Sequence, residues 1–343
     1  MAEIPFVTPL ADPRYGEVVP LSPLVRRVIA NNPNKFSYTG TGTYIIGHGD
    51  VAVIDPGPTI ESHQDALRVA LEGSRVRAIL VTHCHSDHSP LAAWLKEYTG
   101  APTIGFGPHG EVGEPDPDDV DDEPDDEPEN DAAASEALDP AGAAVSAAVS
   151  AAAAAGEVES KESTDVGFVP DIAARDGSIV ARGLRWTMRA VHTPGHTSNH
   201  MCFTLDEESA LFTGDHVMGW STTVVSPPDG DMRAYMSSLA KVSARRDATL
   251  YPTHGNPIKD PQPFLAAYAA HRLAREAQVF AQIQAGVPSI RAMVKVLYAN
   301  VDKGLHKAAA RSVLSHVIKL VDDGRVAVEG GGQAKAKASY HVV

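Results

Sequence analysis

Cysteine is scarce: Cys84 and Cys202 are the only two in 343 residues. Two thiols cannot form the disulfide framework of a small secreted domain, and a reducing compartment suits them. Long apolar runs are also missing. No stretch approaches the ~20 residues of a membrane span, so no membrane partner is expected. The first sixteen residues carry Glu3 and Asp12 and lack a signal-peptide core, which makes a cytoplasmic protein the expectation. Basic residues vanish from Glu111–Asp131, where thirteen residues are Asp or Glu. Without that run the net charge of −15 becomes −2. The run leads into an Ala-dominated stretch, Ala132–Gly156. Together, about 110–164 read as a low-complexity insertion. Its acidic part is expected to be disordered by self-repulsion, and its Ala-rich part has helix propensity. Long surface loops cost little entropy, which favours a tolerated insertion over an acidic regulatory arm. Ordered structure is expected to resume near Phe168.

What is abundant is histidine in ligand-like surroundings. Residues 83–88 read His-Cys-His-Ser-Asp-His. The run before them, Ala78-Ile-Leu-Val81, reads as a buried strand, so the histidines stand on a loop at a strand end. The spacing differs from the i, i+4 pair of helix-borne zinc sites. Three later segments repeat the arrangement: Thr193-Pro-Gly-His196 after Trp186–Val191, Phe212-Thr-Gly-Asp215 after Ala210–Leu211, and Tyr251-Pro-Thr-His254 after Ala248–Leu250. Each places a His or Asp beside a Gly or Pro just past a short apolar run. Cys84 is expected to point away from such a site, and Cys202 to lie in a core strand.

The donors collected this way are His83, His85, Asp87, His88, His196, Asp215 and His254. Five imidazoles and two carboxylates suit Zn²⁺, with Fe or Mn possible. Seven donors exceed the needs of one tetrahedral ion. They match two ions sharing a carboxylate, the two-metal hydrolytic arrangement.

The ordered set His-x-His-x-Asp-His, Gly-His, Gly-Asp and a final His resembles the metallo-β-lactamase superfamily, from about Tyr44 to Gly255. The resemblance implies an α/β, four-layer αββα sandwich with metals at one edge of two packed sheets. It implies that His83, His85 and His196 hold one metal, that Asp87, His88 and His254 hold the second, and that Asp215 bridges them. Antibiotic-degrading members usually place Cys or Ser near the bridging position. Asp215 looks instead like the thioester- and phosphodiester-cleaving branches.

Past Pro261 the texture changes. Helices are expected over Pro261–Ala285, Ile290–Leu297 and Leu305–Asp323, followed by short strands at Arg325–Val328 and Ser339–Val343. This reads as a small C-terminal helical, winged-helix-like domain, 261–343, after a catalytic domain, 1–260. From Ser289 to Val343 there are nine Lys or Arg against four acids. That excess points to nucleic acid, or to a lid or homodimer-forming cap with ordinary surface charge. Gly214-Asp-His-Val-Met-Gly-Trp220, Tyr251-Pro-Thr-His-Gly255 and His271-Arg-x-x-Arg275-Glu are similar to the lactamase-beta-2-like subfamily. That group carries such a domain and includes a zinc-dependent endoribonuclease on single-stranded RNA; related fungal proteins release acyl groups from carrier-protein thioesters.

The expected function is therefore a two-metal hydrolase using a metal-bridging hydroxide. Cleavage of single-stranded RNA is narrowly preferred, and the alternative is a thioesterase of the hydroxyacylglutathione (glyoxalase II-like) or acyl-carrier type. Asp87 is expected to orient the hydroxide. His216 and His200 are candidates for a general acid, or equally for hydrogen-bond partners of the ligands. Asp55 either orients a ligand His or simply forms a turn. Trp220, Ser221 and Thr222 are expected at the substrate mouth.

Overall fold

Alternating apolar residues sort the first two thirds of the chain into two sheets, each buried on both faces. The computed structural model describes residues 4–8, 12–34, 36–110, 163–287, 289–299 and 306–343. The first sheet runs β1 (Val19–Pro20), β2 (Val25–Ile29), β3 (Gly42–Ile46), β4 (Asp50–Ile54), β5 (Arg75–Leu80), β6 (Thr103–Gly105) and β7 (Ile172–Ala173), neighbours in that order. It is antiparallel up to β4 and parallel from β4 to β7. The parallel pairs need crossovers. The helices α1 (Glu61–Ala70) and α2 (Leu91–Thr99) supply the first two.

The second sheet holds β8 (Ile179–Gly183), β9 (Trp186–His192), β10 (Met201–Leu205), β11 (Ala210–Gly214), β12 (Thr249–Pro252) and β13 (Ile258–Lys259), again in sequential order. Helix α3 (Met232–Arg245) joins β11 to the parallel β12.

Side-chain alternation builds the layers. In β3, Tyr44 and Ile46 face the second sheet and share a cluster with Phe203 and Phe212. Ile45, between them, packs under the helices with Leu67 and Leu95. On the far side, Leu211 and Leu250 meet Tyr235, Leu239 and Tyr268. The result is the expected αββα sandwich.

The C-terminal part is α4 (Pro261–Gln284), α5 (Ile290–Leu297), α6 (His306–Asp322) and a hairpin of β14 (Val326–Val328) and β15 (Tyr340–Val342). Its core joins Met293, Val313, Val317, Leu320 and Tyr340. Helix α4 serves two cores: Phe264, Leu265 and Tyr268 pack on the second sheet, while Val279 and Ile283 pack in the C-terminal cluster. His271 takes the buried position on α4, and Leu273 is 55% exposed.

The acidic and Ala-rich parts of the insertion lie outside the described residues. Ahead of the expected Phe168 the chain is already bonded: the Ser163 carbonyl accepts from Ser86 N at 2.8 Å, and Asp165 N donates to the Cys84 carbonyl at 2.7 Å. The returning flank is thus bonded to the histidine loop itself.

Candidate metal centre

Four strand ends meet at one edge of the sandwich. Past β5 comes the loop His83–His88; past β9, His196; past β11, Asp215; past β12, His254. Glycine makes two of these turns possible. Gly214 has φ +51°, and a Cβ there would lie 2.7 Å from His200 Nε2 and 2.9 Å from the Thr82 side chain. Gly195, at φ +139°, would place a Cβ 2.3 Å from Tyr235 Cα. The backbone beside Gly195 and the buried, hydrogen-bonded side chains beside Gly214 cannot yield cheaply, and with positive φ at both, these positions exclude side chains.

All seven predicted donors converge. His83, His85 and His196 form one group, Asp87, His88 and His254 a second, and Asp215 joins His83 and His88 in a third; ligand atoms within each lie within 4.8 Å of one another. His85 Nδ1 stands 3.0 Å from His83 Nε2 and 3.2 Å from His196 Nε2. His254 Nε2 lies 3.2 Å from Asp87 Oδ2 and 3.5 Å from Asp215 Oδ2. The other Asp215 oxygen is 3.7 Å from His88 Nε2. Asp215 therefore faces both triads.

The opposite ring nitrogens are tied down. Nδ1 of His196 meets the Val224 carbonyl at 2.7 Å, Nδ1 of His254 the Gly40 carbonyl at 3.2 Å, and Nδ1 of His88 the Asp55 carboxylate at 3.0 Å. A carbonyl fixes Nδ1 as the donor, so Nε2 presents its lone pair to the centre. Among the described residues, His88 Nε2 and Asp215 Oδ1 are buried and have no hydrogen-bond partner. Orphaned buried acceptors aimed at a common point are costly unless a cation satisfies them. The donors present thus fit divalent cations.

Electrostatics point the same way. Burial opposes charge on Asp87, but His88 and His254 outweigh it and hold this carboxyl well below the usual range. At Asp215, His254 and His88 likewise overcome burial. Burial also opposes charge on His88, yet Asp87, Asp215 and Asp55 raise it to about 9. His254 is raised well above its ordinary value, the same two carboxylates Asp215 and Asp87 prevailing over burial. Burial and neighbouring imidazoles keep His83 neutral.

These shifts fix a sign for the cation-free protein. The stabilisation from His88 is complete below its ordinary 6.5 and is lost as pH rises through about 9. That from Asp87 and Asp215 is present above 3.8 and is lost on acidification. Between pH 6.5 and about 9 the melting temperature in chelator is therefore expected to fall. Divalent cations compete with the same protons, so the gain in melting temperature on adding Zn²⁺ should widen over that window. Parallel melts with chelator and with Zn²⁺ check this, and a gain independent of pH contradicts it.

The remaining expectations divide. Asp55 does orient a donor, through His88, and also accepts from Thr82 and Thr253. Cys84 turns away and meets Asn199 Nδ2 at 2.8 Å. Two imidazoles do not fit the role of a general acid. His200 is fully buried, with Nδ1 on Thr193 Oγ1 and Nε2 accepting from the Asp215 backbone N–H at 3.2 Å. Burial drives its pKa well below the ordinary value. His216 is equally buried beside Tyr235, and burial pushes it down to about 3. Both are neutral and enclosed. Trp220 and Ser221 do not line a mouth either: Trp220 stacks on Tyr38 at 4.7 Å and both are buried, leaving Thr222 partly exposed.

Sequence reasoning missed Thr41, whose hydroxyl donates to Asp87 Oδ2 at 3.0 Å, and Thr223, whose hydroxyl donates to the Asp215 carbonyl at 2.8 Å. The Gly40-Thr-Gly42 run signals a loop but not its target.

Residues 39–254 match the metallo-beta-lactamase superfamily, and residues 289–335 match the beta-lactamase associated winged helix domain. Lactamase-like protein notP of Aspergillus sp. (strain MF297-2) is 30% identical, covering 94% of this chain and 88% of that protein. The atrochrysone carboxyl ACP thioesterase of Aspergillus chevalieri is 29% identical over 94% of this chain and 89% of its own length. Among solved structures, a beta-lactamase domain protein from Burkholderia ambifaria superposes with a TM-score of 0.69 at 24% identity, covering 99% of this chain and 97% of that one. It shares the fold over nearly the whole chain.

Proposed function

The chain belongs to the metallo-beta-lactamase superfamily, and on that premise we propose that it is a two-metal thioesterase acting on acyl-carrier or related acyl thioesters. The observation that carries this reading is the placement of His200 and His216. A thiol, with a pKa of about 8.5, leaves as thiolate without a proton donor. A ribose oxygen is a poorer leaving group and wants a metal or general acid. Both imidazoles beside the donor motifs are sealed and neutral, so an RNA leaving oxygen would have a metal alone to stabilise it, whereas a thiolate needs no such help.

Two further facts favour thioesters over the RNA reading that the sequence preferred. Relatives matching over nearly this whole chain, winged helix included, are named ACP thioesterases. The basic tail is also partly neutralised within the fold: Lys319 and Arg325 both pair with Glu276, at 2.9 and 3.1 Å. Among the described residues no helix is long and apolar enough to cross a membrane.

In this reading His83, His85 and His196 would hold one cation, Asp87, His88 and His254 the other, with Asp215 placed to serve both. The imidazole and carboxylate set suits Zn²⁺ best. Bound there, the pair would acidify a water toward a pKa of about 7 and polarise the thioester carbonyl. The residues of the chain supply position. Asp87 keeps 20% of its side chain exposed, is anchored by Thr41, and would orient the attacking water by accepting a hydrogen bond from it. Asp215 is held at its N–H by His200 and at its carbonyl by Thr223.

The test incubates Zn²⁺-loaded protein with an acyl-CoA, S-D-lactoylglutathione, an acylated carrier protein and labelled single-stranded RNA. Chelator-sensitive thiol release with intact RNA is expected. RNA cleavage without thiol release reverses the assignment.

A further inference from the structure

Helix α4 reaches the donor set without contributing a donor. From Arg272, the Nη2 group donates to the Thr223 carbonyl. Tyr268 Oη accepts from Thr223 N at 2.5 Å and meets Thr223 Oγ1 at 2.9 Å. Thr223 Oγ1 in turn donates to the Asp215 carbonyl, and the next carbonyl along, Val224 O, is the one that fixes His196 Nδ1. One residue of α4 thus holds the N–H of Thr223 and another its carbonyl, and Thr223 supports one donor through its side chain and another through its neighbour Val224.

Arg272 is costly to keep there. It is 5% exposed. Among the described residues it pairs with no carboxylate, and its Nε has no partner. A carbonyl and the faces of Tyr235 and Tyr268, with ring centroids at 5.3 and 6.0 Å, compensate its charge. A buried guanidinium without an anion is expensive. Packing alone would be served better by an apolar side chain.

We infer that Arg272 and Tyr268 are positioning residues for the metal donors His196 and Asp215, acting through Thr223 and Val224. The inference rests on the two-metal reading above. Because α4 also builds the C-terminal core, the winged-helix domain becomes part of the support of the metal centre.

The test measures metal retention by the full chain against a graded chelator series, together with the visible spectrum of the Co²⁺-substituted protein. Tyr268→Phe keeps the ring and removes only the hydroxyl. Arg272→Met removes the donor, and Arg272→Lys restores one. In Tyr268→Phe and Arg272→Met, metal affinity is expected to fall about tenfold, with a changed Co²⁺ spectrum and a lower kcat at similar KM. Arg272→Lys should recover part of the loss. If Arg272→Met does not accumulate as folded protein, Tyr268→Phe decides. Folded Tyr268→Phe with wild-type chelator midpoint and Co²⁺ spectrum overturns the inference. Failure of the wild type to bind two ions instead overturns the two-metal reading beneath it.

Discussion

Asp215→Ala is expected to lower thioester hydrolysis at least about 10³-fold. Metal-ion polarisation contributes several kcal/mol to the transition state, and each 1.36 kcal/mol is about tenfold in rate. Asp215 is the one donor facing both triads: Oδ2 stands 3.5 Å from His254 Nε2 and 4.0 Å from His196 Nε2, and Oδ1 3.7 Å from His88 Nε2. Removing it leaves Asp87 as the one carboxylate among the donors, and the His83, His85 and His196 group with none. Metal content should fall from two ions per chain to at most one. His83→Ala, which removes a donor from two of the three groups, should match it in activity. Circular dichroism separates this from unfolding. Near-wild-type turnover with two retained ions would remove Asp215 from the centre.

The donors were legible in the sequence because strand ends announce themselves. Three of the four short apolar runs are followed by Gly or Pro and a donor, the fourth by Thr82 and His83, and the sheets bring those ends to one edge. The helices of the C-terminal domain were legible for a similar reason: Ala309, Val313, His316, Val317 and Leu320 share one buried face of α6. What stayed hidden depends on contacts between distant segments. In the sequence Arg272 stands only as part of the His271-Arg-x-x-Arg275-Glu motif, and only the fold places it on Thr223, 49 residues away. His200 and His216 sit beside ligand motifs, so adjacency suggested acid chemistry. Adjacency cannot report that the Asp215 backbone consumes one ring and that burial seals the other. The basic excess of the tail was a count, and the count could not see Glu276 on α4 pairing with Lys319 and Arg325, which offsets one of the five excess charges. That is why composition leaned toward RNA and geometry leans toward a thioester.

Asp55→Ala should be the most damaging substitution outside the donor set, striking stability and metal binding together. Asp55 is fully buried. Its Oδ1 accepts from Thr82 N at 2.8 Å; its Oδ2 accepts from Thr82 Oγ1 at 2.8 Å and Thr253 Oγ1 at 3.0 Å, and meets His88 Nδ1 at 3.0 Å. Thr82 follows β5 in one sheet and Thr253 follows β12 in the other, so a single carboxylate ties both sheets together beneath the metal edge. Alanine strands four buried donors at about 1–3 kcal/mol each, and it must also adopt φ +49°. A loss of roughly 4 kcal/mol or more is a large share of the 5–15 kcal/mol typical of a domain. His88 loses the partner that fixes its tautomer, at a cost of about 10–100-fold in metal affinity. Asp55→Asn separates the two effects. Asparagine tolerates the left-handed backbone and can still accept from Thr82 N, so it should melt between wild type and Asp55→Ala. Its neutral amide cannot replace the carboxylate at His88 while serving both threonines, so its metal affinity should stay close to that of the alanine variant. Thermal melts and metal content of the pair read these outcomes apart. If Asp55→Ala melts within about a degree of wild type and keeps both ions, Asp55 is only a turn former, and the orientation of His88 must come from the loop backbone instead.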